Sequence, residues 1–363
     1  MKSKYFNIIF LFSVGIITLA LFARLKSFYD ISRLDHLFHL DEEVETLIIG
    51  DSHLMTALDP DVIKKSINIC ATNENYIFTY LKLKHFLESN PQINTVVMGF
   101  SYHNISKMYG EMYLYHDATE KEIYRRYFIL LDESAKSEIK SFRKNFIISY
   151  LKYDLGFPIQ IYSDKFVFKW LLRRNPILSD FQFVGGYYNS DVVNVNIRDV
   201  KERVKRYYYD DNMVYPGKTM LDIEYLHRIL NICEIRGIRI ILYNSPVLAV
   251  YRNLIPTRNI EDFETVKNEI LTKYKHAEYI NHSDFELEER YFGDGDHVNS
   301  KGAKIVSKVI GGIINNNKGS ERDLPGDVLR YNVSLFSEDP HRLYHAENLL
   351  DPPKEYLADT VVQ

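Results

Sequence analysis

The sequence predicts an α/β domain with a parallel sheet, and three observations predict it. Short β-type runs alternate with helical patterns, the order that parallel pairing through crossover helices requires. The first run, Thr46-Leu47-Ile48-Ile49, stops at Gly50, and a turn carrying Ser52 follows. A hydroxyl therefore lies at the carboxyl end of a strand, where open α/β sheets hold their sites. The composition, 46% hydrophobic and 26% charged over 363 residues, suits one large globular domain with insertions or two smaller ones.

Each element has a local reason. Thr46 to Ile49 reads as a buried strand. Asp59-Pro60-Asp61 predicts a short helix, with Asp59 as N-cap and Pro60 in the first turn. Ile67-Asn68-Ile69 reads as a second strand. Residues 75–89 place Ile77, Tyr80, Leu81 and Leu83 at helical spacing and stop at Asn90-Pro91. Thr95-Val96-Val97-Met98-Gly99 is a third strand. The rhythm then breaks over 103–217 into aromatic-rich helical segments, such as 123–131 and 142–155, read as an insertion or cap. It returns at 220–236, where Leu221, Ile223, Leu226, Ile229, Leu230 and Cys233 form one apolar stripe. Gly237 is the expected C-cap, and a fourth strand follows from Ile238 to Tyr243. A helix over 261–274, a fifth strand near Tyr279-Ile280 and a helix through Ala303, Val306 and Ile310 complete a domain spanning 46–315. Residues 316–363 are polar and read as a peripheral tail.

Residues 5–23 are uncharged and largely apolar behind Lys2 and Lys4, close to the ~20 residues a transmembrane helix needs. The segment 1–26 is expected to be a membrane anchor or a secretory signal. Cleavage after Ala23 would put Leu21 where a small residue is required, which favours an uncleaved anchor over a signal. A buried core helix is a third reading, disfavoured by the basic flank and terminal position. The expectation is a single-pass cell-membrane protein, with a polar stalk at 27–45 and its main domain outside the cytoplasm. Asp35, His36, His39 and Asp41 read as a solvated stalk face and not as a metal site. A net charge of -4 without a basic stripe excludes nucleic acid as an expected partner. Cys70 and Cys233 lie in apolar stretches and read as buried thiols, with a disulfide as the alternative. The 28 Tyr and 21 Phe are expected mainly in the core, some as carbohydrate platforms.

The chemistry lies in two distant segments. Gly50-Asp51-Ser52-His53 offers a nucleophile, and Phe292-Gly293-Asp294-Gly295-Asp296-His297-Val298-Asn299 sets an Asp three residues before a His, ahead of a helix. Ser52 would attack, its backbone N–H serving an oxyanion. His297 would take the proton, and Asp294 would hold the imidazole tautomer, with Gly293 and Gly295 allowing the tight turn. Singly, Ser52 also reads as a helix N-cap and His297 as an exposed loop residue; the pairing of the segments favours catalysis. Asp296 competes with Asp294, but spacing favours Asp294 and Asp296 reads as solvated. Asp284 reads as a cap, Asp51 as structural, and His53 as facing away.

On these residues the chain resembles the SGNH/GDSL hydrolase family. Gly50-Asp51-Ser52 is similar to its first block and Asp294-x-x-His297 to its last, with Val298-Asn299-x-x-Gly302-Ala303 like its continuation. The resemblance runs over 44–311 without the insertion. It implies a three-layer α/β/α, flavodoxin-like domain with a five-stranded parallel sheet. It also implies esterase or acyltransferase chemistry with no metal or other cofactor. Within the family the chain is most similar to membrane-anchored exported bacterial members, several of which add or remove acyl groups on cell-surface or secreted polysaccharides. The expected partners are a glycan or acylated small-molecule substrate, the membrane, and a membrane protein supplying acyl groups.

The middle blocks depart from the family. Ile67-Asn68-Ile69-Cys70-Ala71-Thr72-Asn73 lacks the usual Gly, so an N–H of Cys70 or Ala71 would have to face the oxyanion. In Gly99-Phe100-Ser101-Tyr102-His103-Asn104 the family's Asn is missing at its usual spacing, leaving Ser101 or Asn104 as substitutes and His103 as a further oxyanion or subsite candidate. Losing one oxyanion donor costs ~10²–10³ in rate. Two classes of function stay open. One is an exported serine esterase or O-acyltransferase, with acetyl as the expected group. The other is a non-catalytic, membrane-anchored glycan-binding or assembly protein on a degenerate scaffold.

Overall fold

The computed structural model describes residues 35–115 and 184–315, with positions 5, 10–15, 18, 127, 130, 134, 135 and 137. Five strands, β1 (Thr46–Ile49), β2 (Ser66–Asn68), β3 (Thr95–Gly99), β4 (Arg239–Asn244) and β5 (Ala277–Asn281), form one all-parallel sheet in the order β2-β1-β3-β4-β5. Thr46 pairs with Ser66 on one side and Thr95 on the other; Thr95 in turn pairs with Arg239, and Ile240 with Ala277. The strand order reverses beside β1, so the carboxyl ends of β1 and β3 flank the crevice that a doubly wound sheet opens there.

The described helices are α1 (Ser52–Ala57), α2 (Tyr76–Ser89), α3 (Lys107–Tyr115), α4 (Ile197–Tyr208), α5 (Met220–Ile235), α6 (Ala249–Arg252), α7 (Thr257–Lys273) and α8 (Ser300–Asn315). They cover both faces, which is why the central strands are apolar throughout. Leu47, Ile49, Val96, Met98 and Leu242 pack on one face with Leu83 and Phe86 of α2, Leu226 and Ile229 of α5 and Phe263 of α7. The alternate residues Ile48, Val97, Ile241 and Tyr243 pack on the other with Leu54 of α1 and Val306 and Ile310 of α8. A smaller cluster of Tyr109, Val200, Val204, Tyr207, Tyr208 and Tyr251 joins α3, α4 and α6 beside the sheet. Cys70 and Cys233 are free and buried on opposite faces, so the disulfide alternative does not hold.

Three expectations are corrected. The helix expected from Asp59 is a turn. Asp59 Oδ1 accepts the Asp61 N–H at 3.0 Å and its carbonyl accepts the N–H groups of Val62 and Ile63, a local bonding pattern that competes with helix. The helix expected over 261–274 begins earlier, at Thr257 behind Pro256. The stalk is packed from Phe38 onward. Phe38 is buried in the core, Asn90 Nδ2 donates to its carbonyl at 2.6 Å, and Asn90 Oδ1 accepts the Leu40 N–H at 2.8 Å.

Of the insertion, the structure describes a 3-10 turn at Tyr102–Ile105, α3, an extended segment at 185–196, and α4 with the loop that follows it. The helical segments expected at 123–131 and 142–155 lie outside the described residues apart from single positions, as does the tail at 316–363. Residues 10–15 of the expected anchor are helical, and most of its remainder lies outside the described residues. Among the described residues no helix is long and apolar enough to cross a membrane.

The extended segment straps the carboxyl edge of the sheet. Gly186 N–H donates to the Cys70 carbonyl at 2.9 Å, Tyr188 N–H to that of Met55 at 2.9 Å, and Asn194 N–H to that of Gly293 at 2.8 Å. A buried ammonium fastens its start. Lys82 Nζ donates to Glu74 Oε2 at 2.5 Å, to the Ile69 carbonyl at 2.5 Å and to the Val184 carbonyl at 3.1 Å. Tyr127 OH from the insertion donates to the same Glu74 oxygen at 2.8 Å.

Gly50 connects β1 to α1 at φ +146°, and a Cβ there would stand 3.1 Å from the Gly99 backbone nitrogen. Both the dihedral and the approach of β3 exclude a side chain. Gly50→Ala is expected to cost about 1–3 kcal/mol of stability, read as a lower midpoint in urea unfolding.

Candidate active site

The end of β1 and the loop before α8 meet at the crevice. Ser52 is the first residue of α1, and Asp51 is its N-cap, with Oδ1 accepting the His53 N–H at 3.0 Å. That cap turns the Ser52 side chain toward the 292–299 loop. The loop closes on itself, with Gly293 N–H donating to the His297 carbonyl at 2.8 Å and Asp294 Oδ1 accepting the His297 N–H at 2.9 Å. His297 Nε2 lies 2.8 Å from Ser52 Oγ across 245 residues of sequence. Its Nδ1 lies 3.0 and 3.1 Å from the two oxygens of Asp294. The three residues expected to form the reaction centre are thus brought together in the expected order of contact.

Around them the structure adds groups that sequence reading placed elsewhere. Asp296, expected in solvent, is fully buried. Its Oδ1 lies 3.4 Å from His297 Nδ1 and its Oδ2 lies 3.2 Å from His53 Nε2. His53, expected to face away, points inward. Its ring lies 4.8 Å from that of His297 and stacks at 4.1 Å on His103. His103 Nε2 in turn lies 2.7 Å from Asp51 Oδ2. Three imidazoles, each beside a carboxylate, therefore run in a row from Ser52 into the interior. Arg203 of α4, absent from the expected site, bonds through one nitrogen to both Asp294 and Asp296. No local motif marks it, because it enters from the insertion. A signal for Asp296 is the Gly-Asp-Gly-Asp-His string at 293–297, whose two glycines let both carboxylates turn toward one ring.

Of the expected oxyanion donors, two are left open: Ser52 N–H has no hydrogen-bond partner among the described residues, and the buried Ser101 hydroxyl has none either. Cys70 N–H is spent on Asn68 Oδ1 at 3.0 Å and Ala71 N–H on the Gly50 carbonyl at 3.0 Å. Asn104 Nδ2 donates to Asp51 Oδ2 at 2.7 Å while its Oδ1 accepts the Ser101 N–H at 2.7 Å. Cys70, Ala71 and Asn104 are therefore structural at this site. Each donor is consumed in holding the turns that follow β1, β2 and β3. Asp284, read as a cap, lies after β5 and is no part of the cluster.

The electrostatics follow from burial against pairing. Burial alone would raise the Asp51 pKa, but the His103 imidazole beside it, with the Asn104 amide, holds it well below the ordinary carboxylate range. Burial and the His103 imidazole hold His53 below the ordinary imidazole range, and its Nε2 faces Asp296. Burial would also lower His297, yet the carboxylates of Asp296 and Asp294 outweigh it and the net shift is upward. Burial likewise presses upward on Asp296, and His297, His53 and Arg203 together keep it well below the usual range.

Ligand atoms of His53, Asp296 and His297 lie within 4.8 Å of one another. The Arg203 guanidinium already supplies the cation to Asp296 and lies 3.0 Å from His297 Nδ1, so the cluster is filled by protein charge and is a poor fit for a metal ion. No family model matches the chain, and no curated protein matches it to a significant degree.

Two outcomes are expected. A base must be neutral to accept the Ser52 proton. With His297 raised above the usual ~6.5, reaction at Ser52 falls as pH drops through a midpoint higher than that of a free imidazole. A pH profile of covalent labelling reads this. Asp51→Ala strands the buried His103, the Asn104 amide and the His53 N–H, and is expected to cost about 3–5 kcal/mol in denaturant unfolding, with Asp51→Asn costing less.

Proposed function

We propose that the chain is a serine esterase or O-acyltransferase working through an acyl-Ser52 intermediate. The observation that carries this reading is the 2.8 Å contact from Ser52 Oγ to His297 Nε2, with Asp294 on the opposite ring nitrogen. Nucleophile within hydrogen-bond reach of a base, and base oriented by an acid, is the arrangement acyl transfer uses on unrelated folds. Ser52 Oγ attacks the ester carbonyl while His297 Nε2 takes its proton. Asp294 favours the tautomer with hydrogen on Nδ1 and stabilises the imidazolium. The alkoxide leaves with the proton from Nε2, and water or a sugar hydroxyl, deprotonated by the same nitrogen, then releases the acyl group. Among the described residues Ser52 N–H is the expected backbone donor left free to meet the oxyanion.

The SGNH-like reading of the fold belongs to the same proposal. The five-stranded parallel order with Ser52 at the end of β1 is compatible with it, and the Gly50-Asp51-Ser52 and Asp294-x-x-His297 blocks suggest it. The substrate side rests on that resemblance and on the apolar stretch at 5–23. It points to a membrane-anchored protein facing out of the cytoplasm, which adds or removes acetyl groups on a cell-surface or secreted glycan with a membrane partner as acyl source. A second reading, a glycan-binding or assembly protein on an inactive scaffold, is favoured by one observation. The oxyanion donors expected from Cys70 and Ala71 after β2 and from Asn104 after β3 are engaged in internal bonds.

Labelling of the full-length chain with a fluorophosphonate probe separates the two. The catalytic reading expects labelling of the wild type, none with Ser52→Ala, and a loss of about 10³-fold or more with His297→Ala. A folded wild-type chain that takes no label, together with retained glycan binding, would give the second reading first place.

A further inference from the structure

The turn 294–297 sets two carboxylates against one imidazole. Asp294 oxygens lie 3.0 and 3.1 Å from His297 Nδ1, and Asp296 Oδ1 lies 3.4 Å from it. With both carboxylates ionised the ring would face two negative charges, where a Ser–His–Asp arrangement needs one. Arg203 Nη1 meets Asp294 Oδ2 at 2.8 Å, bonds to Asp296 Oδ1, and lies 3.0 Å from His297 Nδ1. Its delivery is built into the packing of α4. A Cβ at position 295 would lie 2.4 Å from Val200 Cγ2, so the helix docks on the turn at a bare glycine. Val200 and Arg203 are three residues apart and share one helix face, which carries the guanidinium to the carboxylates one turn beyond that contact.

We propose that Arg203 is a positioning residue of the Ser52 centre. It cancels one of the two carboxylate charges beside His297 and orients Asp294 and Asp296, so that α4 of the insertion is a working part of the site. The proposal rests on the catalytic reading of Ser52, His297 and Asp294.

Among the described residues the charged and titratable neighbours are few. From its own loop His297 faces Asp294 and Asp296; from α1 it faces Ser52 and His53; from α4 it faces Arg203. His103 and Asp51 stand behind His53, with Tyr109 OH on Asp51 at 3.2 Å. Arg203 faces Asp294, Asp296 and, on its own helix, Tyr207. Arg203 is the permanently charged cation among these neighbours, and its guanidinium, bonded to both Asp294 and Asp296, offsets the second carboxylate. Burial lowers the His297 pKa, Asp296 and Asp294 lift it, and Arg203 draws it partly back.

The test compares the pH dependence of fluorophosphonate labelling of the full-length chain for wild type, Arg203→Met, Arg203→Lys, Asp296→Asn and the double variant Arg203→Met with Asp296→Asn. Removing the cation alone should move the acid limb up by about one pH unit, an about tenfold loss within the limb that recovers in alkali. Arg203→Lys should keep the limb near its wild-type position. Asp296→Asn alone should move it down, and the double variant, again with one net negative charge, should return it toward wild type. An unmoved limb, or a loss equal at every pH, overturns the proposal and leaves Arg203 a packing residue. A wild-type chain that takes no label defeats the catalytic reading instead. NMR titration of the His297 imidazole in the same variants then decides the charge balance by itself, with a midpoint unmoved by Arg203→Met counting against it.

Discussion

Asp51 has no access to water and is nonetheless ionised, because four donors converge on it. His53 N–H takes Oδ1, and His103 Nε2, Asn104 Nδ2 and Tyr109 OH share Oδ2 at 2.7, 2.7 and 3.2 Å. One carboxylate therefore caps α1, anchors the 3-10 turn that follows β3, and draws α3 over the end of the sheet. A buried charge is tolerable only when its lone pairs are met, and each element that meets them is fixed in return. The direction of the Ser52 side chain is a by-product of that cap. The same bonds withdraw Asn104 from any solvent-facing role.

The rest of the site repeats this logic with different partners. Asp296 is as deeply buried as Asp51, and it is met from α1 by His53 and from α4 by Arg203. Glu74 is met by Lys82 and by Tyr127 of the insertion. Every one of these acids joins the sheet-bearing domain to a segment that interrupts it. The apolar cores on the two faces hold the sheet; the buried charges hold the insertion and the loops to it. Desolvated pairs of this kind add little net stability but penalise any arrangement that separates them, and so they fix relative placement more than they add strength.

Much of this was legible in the chain. The apolar runs at 46–49 and 95–99 are strands at those residues, and the stripe from Leu221 to Cys233 is α5, because burial on one helix face or on both sheet faces leaves a periodic mark. Ser52, Asp294 and His297 were legible because turn glycines and residue type are local signals. Asp296 and His53 were misplaced because their burial depends on elements far away in sequence: solvation of an Asp in a loop cannot be judged before the helix that covers the loop is placed. Arg203 left no mark at all, since an arginine on a charged amphipathic helix looks like any solvated one. Three of the oxyanion candidates are engaged elsewhere for a related reason. Cys70, Ala71 and Asn104 do carry donors, but competition for those donors is settled by three-dimensional neighbours such as Asn68 and Asp51.

The distance in sequence between Ser52 and His297 bears on how the protein is made. The hydroxyl belongs to the first strand-and-turn unit of the sheet, while the imidazole that touches it arrives 245 residues later, just ahead of the last described helix. A chain that ends before the 292–299 loop lacks the imidazole that touches Ser52 Oγ in the complete molecule. If Ser52 is the nucleophile proposed above, the order of synthesis ties its activation to the arrival of the last loop.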